Sequence, residues 1–352
     1  MSNGKNGLTK WTQYPNIVRL MKLHEKPINT ISDVWDIYRE DFKRVEAQII
    51  EDLDSEVSLI NDVGYHLLKG GGKRFRPLLM ILCSRLCNYH GADDIILASV
   101  VEFIHIATLL HDDVVDEADV RRGQPAARSI WGNQASILVG DYVYSKALYK
   151  AVTLRNQEVN EILSTTTKKM SEGELLQLSK TADTNITEEE YLKIIDSKTA
   201  TLIAATCRLA GVISDAAEEA KNSLTRIGWN IGMAFQLADD TLDYTATKER
   251  LGKTLGKDLS EGKITLPLLH LLKNCSNDEQ PLIHRIIKEG DIKNEDLEFI
   301  QALFKKYNSI NYSLTKAKGY IKTAKQELSD YEDSTAKQAL IAVANYAITR
   351  DL

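Results

Sequence analysis

Residues 94–116 read DIILASVVEFIHIATLLHDDVVD. Ile95, Ile96, Leu97, Val100, Val101, Phe103, Ile104, Ile106, Leu109 and Leu110 fall on nearly every side of a helix drawn through them. A helix apolar all round belongs at the centre of a packed domain. This one runs straight into His111-Asp112-Asp113-Val114-Val115-Asp116. Positions i and i+4 share a helix face about one turn apart, so Asp112 and Asp116 point the same way. His105 lies on that face too, ~10 Å back along the axis.

A second stretch repeats the pattern: Phe235-Gln236-Leu237-Ala238-Asp239-Asp240-Thr241-Leu242-Asp243-Tyr244. Asp239 and Asp243 share a face, as do Gln236 and Asp240. Carboxylates stacked near helix C-termini repel one another and the helix dipole, so each set calls for a cation. Oxygen donors with no His or Cys among them suit a hard divalent ion, typically Mg2+ bridging to phosphates. One such cluster alone reads more readily as a solvated helix end. Asp93–Asp94, for example, reads as an N-cap and first turn. Two copies, each after a strongly apolar helix, point to function.

Metal-bound phosphate also needs fixed positive donors. Lys73, Arg74 and Arg76 follow Gly70-Gly71-Gly72, without the spacing of a nucleotide-binding P-loop. Arg121-Arg122-Gly123 follows the first aspartate cluster, and Lys253, Lys257 and Lys263 follow the second. Lys198-Thr199 interrupts an apolar helical pattern made by Ile194, Ile195, Ala200, Leu202 and Ile203. Each basic residue taken singly is a surface charge. Their arrangement around two acidic clusters is what carries information.

The rest of the chain fits one helical domain. Of 352 residues 43% are hydrophobic and 27% charged, the composition of a globular protein and not of a disordered or collagenous one. The formal charge of −6 does not suggest a nucleic-acid surface. With only six prolines, long helices are expected. Apolar spacing predicts them over 31–67, from Pro77 to about 87, and over 94–111, 132–153, 158–181, 187–211 and 215–244. After a lysine-rich loop at 245–262 come 265–274, 278–288, 294–306, 309–328 and 331–349. No two-residue alternation marks a sheet, and no repeat or linker marks a boundary. The reading is an all-α multi-helix bundle over 28–352, preceded by a polar tail at 1–27 that lacks the apolar core of a secretory signal. No run of ~18 uninterrupted apolar residues predicts a membrane span. Four cysteines make no disulfide framework, and Cys83 and Cys87 read as core residues rather than half a metal site. A reducing, cytoplasmic setting follows.

These stretches resemble the trans-isoprenyl diphosphate synthases, or polyprenyl synthetases. The matching motifs are Gly71-Gly72-Lys73-Arg74-Phe75-Arg76-Pro77, the first cluster with Arg121-Arg122-Gly123, Lys198-Thr199-Ala200, the second cluster from Phe235 to Tyr244, and Gly262-Lys263 with Thr265-Leu266-Pro267. They stand in the family's order over about 30–350. The resemblance implies the isoprenoid synthase fold, a helical bundle around a deep central cavity, usually as a homodimer. It also implies a Mg2+-dependent reaction of an allylic diphosphate with isopentenyl diphosphate, adding one isoprene unit and releasing diphosphate. By the same resemblance Asp112, Asp116, Asp239 and Asp243 belong to the metal clusters, with Asp113 and Asp240 in support. Arg121, Lys198, Thr199, Gln236, Lys253 and Lys263 would hold the allylic diphosphate, Lys257 competing with Lys253 for its place. Lys73, Arg76, His105 and Arg122 would hold isopentenyl diphosphate. Asp112, Asp116, Asp239, Lys198 and Arg121 carry the catalytic assignment.

Breaking an allylic C–O bond leaves a carbocation and diphosphate, so the chemistry asks for cations at the leaving group and a dry wall. It needs no nucleophilic Ser or Cys, and the sequence offers no such triad. In this family a bulky aromatic four or five residues before the first cluster closes the pocket on short products. Thr108 and Ala107 stand there, which implies a long product of the kind used for quinone side chains. Helix projection puts Thr108, not Ala107, nearest the Asp112 side. Tyr142, Tyr144, Leu148 and Tyr149 are candidates for a deeper floor, or else core and dimer packing. The alternatives are a geranylgeranyl diphosphate synthase, a terpene cyclase, or a non-catalytic subunit of a heteromeric synthase. A cyclase needs no second diphosphate site, and a non-catalytic subunit should have eroded aspartates. The oily product allows peripheral membrane contact, though no basic amphipathic anchor stands out.

Overall fold

A computed structural model describes residues 28–72, 74–245, 256–290 and 292–349. Lys73, Lys253 and the 1–27 tail fall outside them. The pattern at 31–67 is three helices, α1 (Ile31–Ile37), α2 (Arg39–Leu53) and α3 (Ser58–Lys69), because Tyr38 and Asp54 leave helical geometry. Thr30 opens α1 with a capping box, its hydroxyl and Asp33 satisfying each other's backbone N–H. Pro77 lies in the first turn of α4 (Phe75–Leu86), where its missing N–H costs nothing. The central helix is α5 (Asp93–Val115), with Asp93 and Asp94 in its first turn and Ala92, not an aspartate, at the N-cap.

After α5 come two short antiparallel strands, β1 (Val120–Arg121) and β2 (Gln124–Pro125), which alternation could not reveal at two residues each. Then follow α6 (Ala127–Thr153), kinked at Gly132 where φ is 83°, and α7 (Gln157–Ser179). The expected 187–211 helix is α8 (Glu188–Ile195), a π turn over Asp196–Ala200, and α9 (Thr201–Ile213). The remaining helices are α10 (Glu218–Thr245), α11 (Lys257–Ser260), α12 (Leu266–Asn274), α13 (Gln280–Glu289), α14 (Asn294–Tyr307), α15 (Ser309–Ser329) and α16 (Thr335–Thr349).

The fold is all-α, and α5 lies at its heart. It packs along α6 and against α2, α4 and α9, while α10 packs between α9 and α15. Leu97, Val100, Val101, Phe103, Ile104 and Leu110 are fully covered. Burying each such side chain is worth about 1.5–3 kcal/mol, which explains why an apolar 23-residue helix is stable here. Among the described residues α5 is the one helix long and apolar enough to cross a membrane, but it is mostly buried by its neighbours. One stripe stays partly open: His105, Thr108, Leu109 and Asp112, at i, i+3, i+4 and i+7.

Two glycines pin the π turn beside this stripe. A Cβ on Gly173 of α7 would lie 2.6 Å from Ser197 Cβ, and one on Gly232 of α10 would lie 2.6 Å from Ala200 Cα. Neither contact is possible for a larger residue without moving backbone. π turns of this kind cluster at functional sites. Cys83 is core, as expected: it is fully buried, and its thiol meets that of Cys207 on α9, which with burial raises its pKa well above the ordinary thiol value.

Candidate active site

The last turn of α5 presents Asp112 and Asp113, and Asp116 caps it. The last turns of α10 present Asp239, Asp240 and Asp243. In each cluster the middle aspartate turns into the protein. Asp113 is buried and accepts Arg121 Nε at 2.8 Å. Asp240 is buried and accepts the Tyr191 hydroxyl and, at 2.6 Å, Gln236 Nε2. The outer carboxylates stay accessible: Asp239 is exposed, and Asp112, Asp116 and Asp243 are half-buried.

The segment 256–263 ties the two clusters together. Lys263 Nζ lies 3.0 Å from Asp116 and 2.6 Å from Glu261. Its backbone N–H donates to Asp258 O at 2.8 Å, and the Asp258 N–H donates to Asp243 Oδ2 at 3.0 Å. Burial opposes the Lys263 charge, but Asp116 and Glu261 outweigh it and hold the ammonium above its usual pKa. Burial also pushes Asp112 up to about 6; Lys198 pulls it back, and Glu174 and Asp116 push it further. Asp240 rises to about 7 from burial, moderated by Tyr191 and Gln236. Asp258 is held well above the carboxylate range by burial and by Asp243 and Asp240.

Burial first and neighbouring carboxylates second disfavour the charged form of these acids, and a cation placed among them would favour it. The accessible carboxylate oxygens of Asp112, Asp116, Asp239 and Asp243 are donors of the kind a hard divalent ion takes. Among the described residues no three acidic, His or Cys side chains converge on one point.

Lys198 projects from the π turn, its Nζ 2.8 Å from Glu174 and 3.9 Å from Asp112. Its neighbour Thr199 donates to Gln236 Oε1 at 2.7 Å. Thr199, Gln236, Asp240 and Tyr191 thus form one hydrogen-bonded chain from the π turn to the second cluster.

A second, strongly basic pocket lies beside the first. Burial first, and then the charges of Arg76, Arg122, Arg121 and Arg74, hold the His105 pKa well below the usual value. Burial brings Arg76 down to about 10, with Glu102 resisting. Arg74 donates to Glu102 at 2.7 Å, and Arg122 donates to the Gly71 carbonyl. Arg76 Nε is buried with no protein acceptor. Several guanidiniums around a neutral imidazole, with one unmatched buried donor, make a site for a multiply charged anion. Phe75 stacks on Phe235 at 4.9 Å, fastening this pocket to α10.

Of the residues expected from the sequence, Asp112, Asp116, Lys198 and Lys263 come together in one place. Arg121 instead spends its Nε on Asp113, and Lys257 pairs with Glu261 at 2.9 Å. Thr108 borders the open stripe, whereas Ala107 is 1% exposed and packs in the core. Tyr149 is 65% exposed on α6 and so lines no internal floor. Leu148 borders an outer recess with Val152, Asn160 and Leu163; Tyr142 and Tyr144 are half-buried. Sequence reasoning missed Glu174, Tyr191, Asp258, Glu261 and Glu102. Only Glu102 carried a signal, as a lone charge inside an all-apolar helix.

Residues 57–304 match the family described as Polyprenyl synthetase. The chain is 40% identical over 321 residues to an octaprenyl diphosphate synthase of Escherichia coli, covering 91% of this chain and 99% of that one. It is 37% identical to an all-trans-nonaprenyl-diphosphate synthase of Rhodobacter capsulatus, covering 88% and 95%. A crystal structure of a polyprenyl synthase from Caulobacter crescentus, complexed with calcium and isoprenyl diphosphate, superposes with a TM-score of 0.89 at 35% identity, covering 93% of this chain and all of that one. The chain belongs to the polyprenyl synthetase family.

Proposed function

We propose that this chain is a Mg2+-dependent trans-prenyltransferase, condensing isopentenyl diphosphate with an allylic diphosphate to make a long-chain all-trans polyprenyl diphosphate. The observation that carries the reading is the pairing of two anion sites of different chemistry. One is acidic and lysine-bearing (Asp112, Asp116, Lys198, Lys263), suited to a metal-bound diphosphate. The other is arginine-rich (Arg76, Arg122, His105), suited to a bare one. An enzyme joining two diphosphates needs both.

Asp112, Asp116, Asp239 and Asp243 would hold Mg2+, which when bound neutralises charge on the departing diphosphate. Lys198 and Lys263 add fixed positive charge at that leaving group. Arg76 and Arg122 hold the second substrate so that its double bond faces the cation. The apolar body of α5 keeps water from that cation. A proton is then lost, with the released diphosphate as the base. Small Thr108 on the open stripe supports growth past farnesyl, and a quinone side chain is the destination we favour. The octaprenyl and nonaprenyl synthases among the relatives support the same length class.

We take 28–352 as the catalytic domain and expect it to work as a cytoplasmic homodimer. Exposed Ile137, Leu138, Tyr149 and Val152 of α6 and Leu175 and Leu178 of α7 support pairing through these faces. Free cysteines suit the reducing compartment. Steady-state kinetics test the two-site reading. Arg76→Met should raise the KM for isopentenyl diphosphate by about tenfold or more and leave the allylic KM near its starting value. Lys198→Ala should do the reverse. If both variants shift both constants equally, the sites are not separate.

A further inference from the structure

Lys198 and Glu174 meet because Gly173 lets α7 come close to the π turn. A Cβ at Gly173 would also lie 3.1 Å from the Lys198 backbone nitrogen. The next residue, Glu174, reaches the Lys198 ammonium with both oxygens, Oε1 at 2.8 Å and Oε2 at 2.9 Å. Asp112 Oδ2 stands 3.9 Å from the same nitrogen, outside hydrogen-bonding distance. One ammonium thus lies between two carboxylates and bonds to the one outside the aspartate motifs.

We propose that Glu174 is a positioning residue that holds Lys198 away from Asp112, keeping the Asp112 carboxylate available to a divalent cation until diphosphate arrives and draws the lysine to itself. The inference rests on the reading of Asp112 and Lys198 as parts of the allylic diphosphate site. An ammonium bonded directly to Asp112 would compete with the metal for the same oxygens. A neutral amide at 174 would hold the lysine far less strongly than a carboxylate does. Lys198 would then close the 3.9 Å gap to Asp112. An excess carboxylate beside the cluster thereby lowers the metal concentration the site needs without being a ligand itself.

The test compares the full chain with Glu174→Gln, Glu174→Asp, Lys198→Ala and the Glu174→Gln/Lys198→Ala double variant. Inorganic diphosphate is titrated calorimetrically at a series of Mg2+ concentrations. Glu174→Gln should raise the Mg2+ concentration for half-maximal binding about tenfold, and Glu174→Asp by an intermediate factor. In turnover the allylic KM should rise at low Mg2+ and recover at high Mg2+, with the isopentenyl KM not following. The double variant should match Lys198→Ala alone, because the effect passes through the lysine. An unchanged Mg2+ dependence in Glu174→Gln overturns the proposal. So does an equal penalty with and without Lys198, which would make Glu174 a metal ligand. Should the Gln variant not fold, the Asp variant carries the same comparison. Failure of the underlying site reading looks different: Lys198→Ala would leave diphosphate binding and the allylic KM unchanged.

Discussion

The ammonium of Lys263 lies 3.0 Å from Asp116, although 147 residues separate them. The same residue's backbone N–H holds Asp258, whose own N–H holds Asp243. A single lysine therefore connects the first acidic cluster to the second. Replacing it with alanine should leave Asp116 without its cation and slow turnover by about 100-fold, the typical cost of losing one charge-stabilising donor. The loss should fall on the allylic substrate, and kcat/KM for isopentenyl diphosphate at saturating allylic primer should show kcat reduced with KM little changed.

Asp112 makes stability depend on pH. Its carboxyl is pushed up to about 6 from an ordinary value of 3.8. Between those values the folded chain binds the proton more tightly than the unfolded chain does. Stability from this group is therefore highest below about 4 and falls as pH rises to about 6. Asp112→Asn removes the cost and should stabilise the metal-free protein by about 2–3 kcal/mol at pH 8. The advantage should shrink steadily toward pH 4. Urea unfolding of both proteins across that range measures it, and a constant difference would contradict the assignment.

Gly232 leaves no room for a side chain, since a Cβ there meets Ala200 Cα at 2.6 Å. The obstacle is backbone and cannot rotate away. Gly232→Ala should cost about 1–3 kcal/mol of stability. It should also displace Lys198 and Thr199, so activity should drop even where the protein remains folded by circular dichroism.

Thr108 and Ala107 separate two causes of failure. Thr108 sits on the partly open stripe with Asp112, its hydroxyl bonded to the His105 carbonyl at 2.8 Å. Thr108→Phe should shorten the product while the protein stays folded. Ala107 is packed in the core, so Ala107→Phe should overpack it and destabilise the chain by about 1–3 kcal/mol. Chromatographic sizing of products, beside thermal denaturation, distinguishes the two.

Much of this site was legible because its residues sit at fixed offsets on helices. Asp112/Asp116 and Asp239/Asp243 share faces by the i, i+4 rule, and helix projection correctly favoured Thr108 over Ala107 as the accessible position. The all-α class followed from helical periodicity and scarce proline. Interruptions were not legible. Tyr38 breaks 31–67, and the π turn at Asp196–Ala200 packs tightly against Gly173 and Gly232, which are far away in sequence. Glu174 and Tyr191 escaped notice for the same reason. Each is an ordinary residue on an amphipathic helix until tertiary contact brings it to Lys198 or Asp240. For Tyr149 the sequence left a pocket floor and core or dimer packing both open, because periodicity tells that a face exists and not what covers it; its exposure removes the floor and the core and leaves the dimer face.

The central claim is that both aspartate clusters serve one condensation reaction with a long product. The purified protein, incubated with Mg2+, labelled isopentenyl diphosphate and farnesyl diphosphate, should give a ladder ending at one discrete long chain by mass spectrometry. Asp112→Ala and Asp239→Ala should each abolish it. A ladder stopping at geranylgeranyl diphosphate would contradict the long-chain reading. No product from folded protein with any allylic primer would contradict the enzyme itself and point to a subunit that needs a partner.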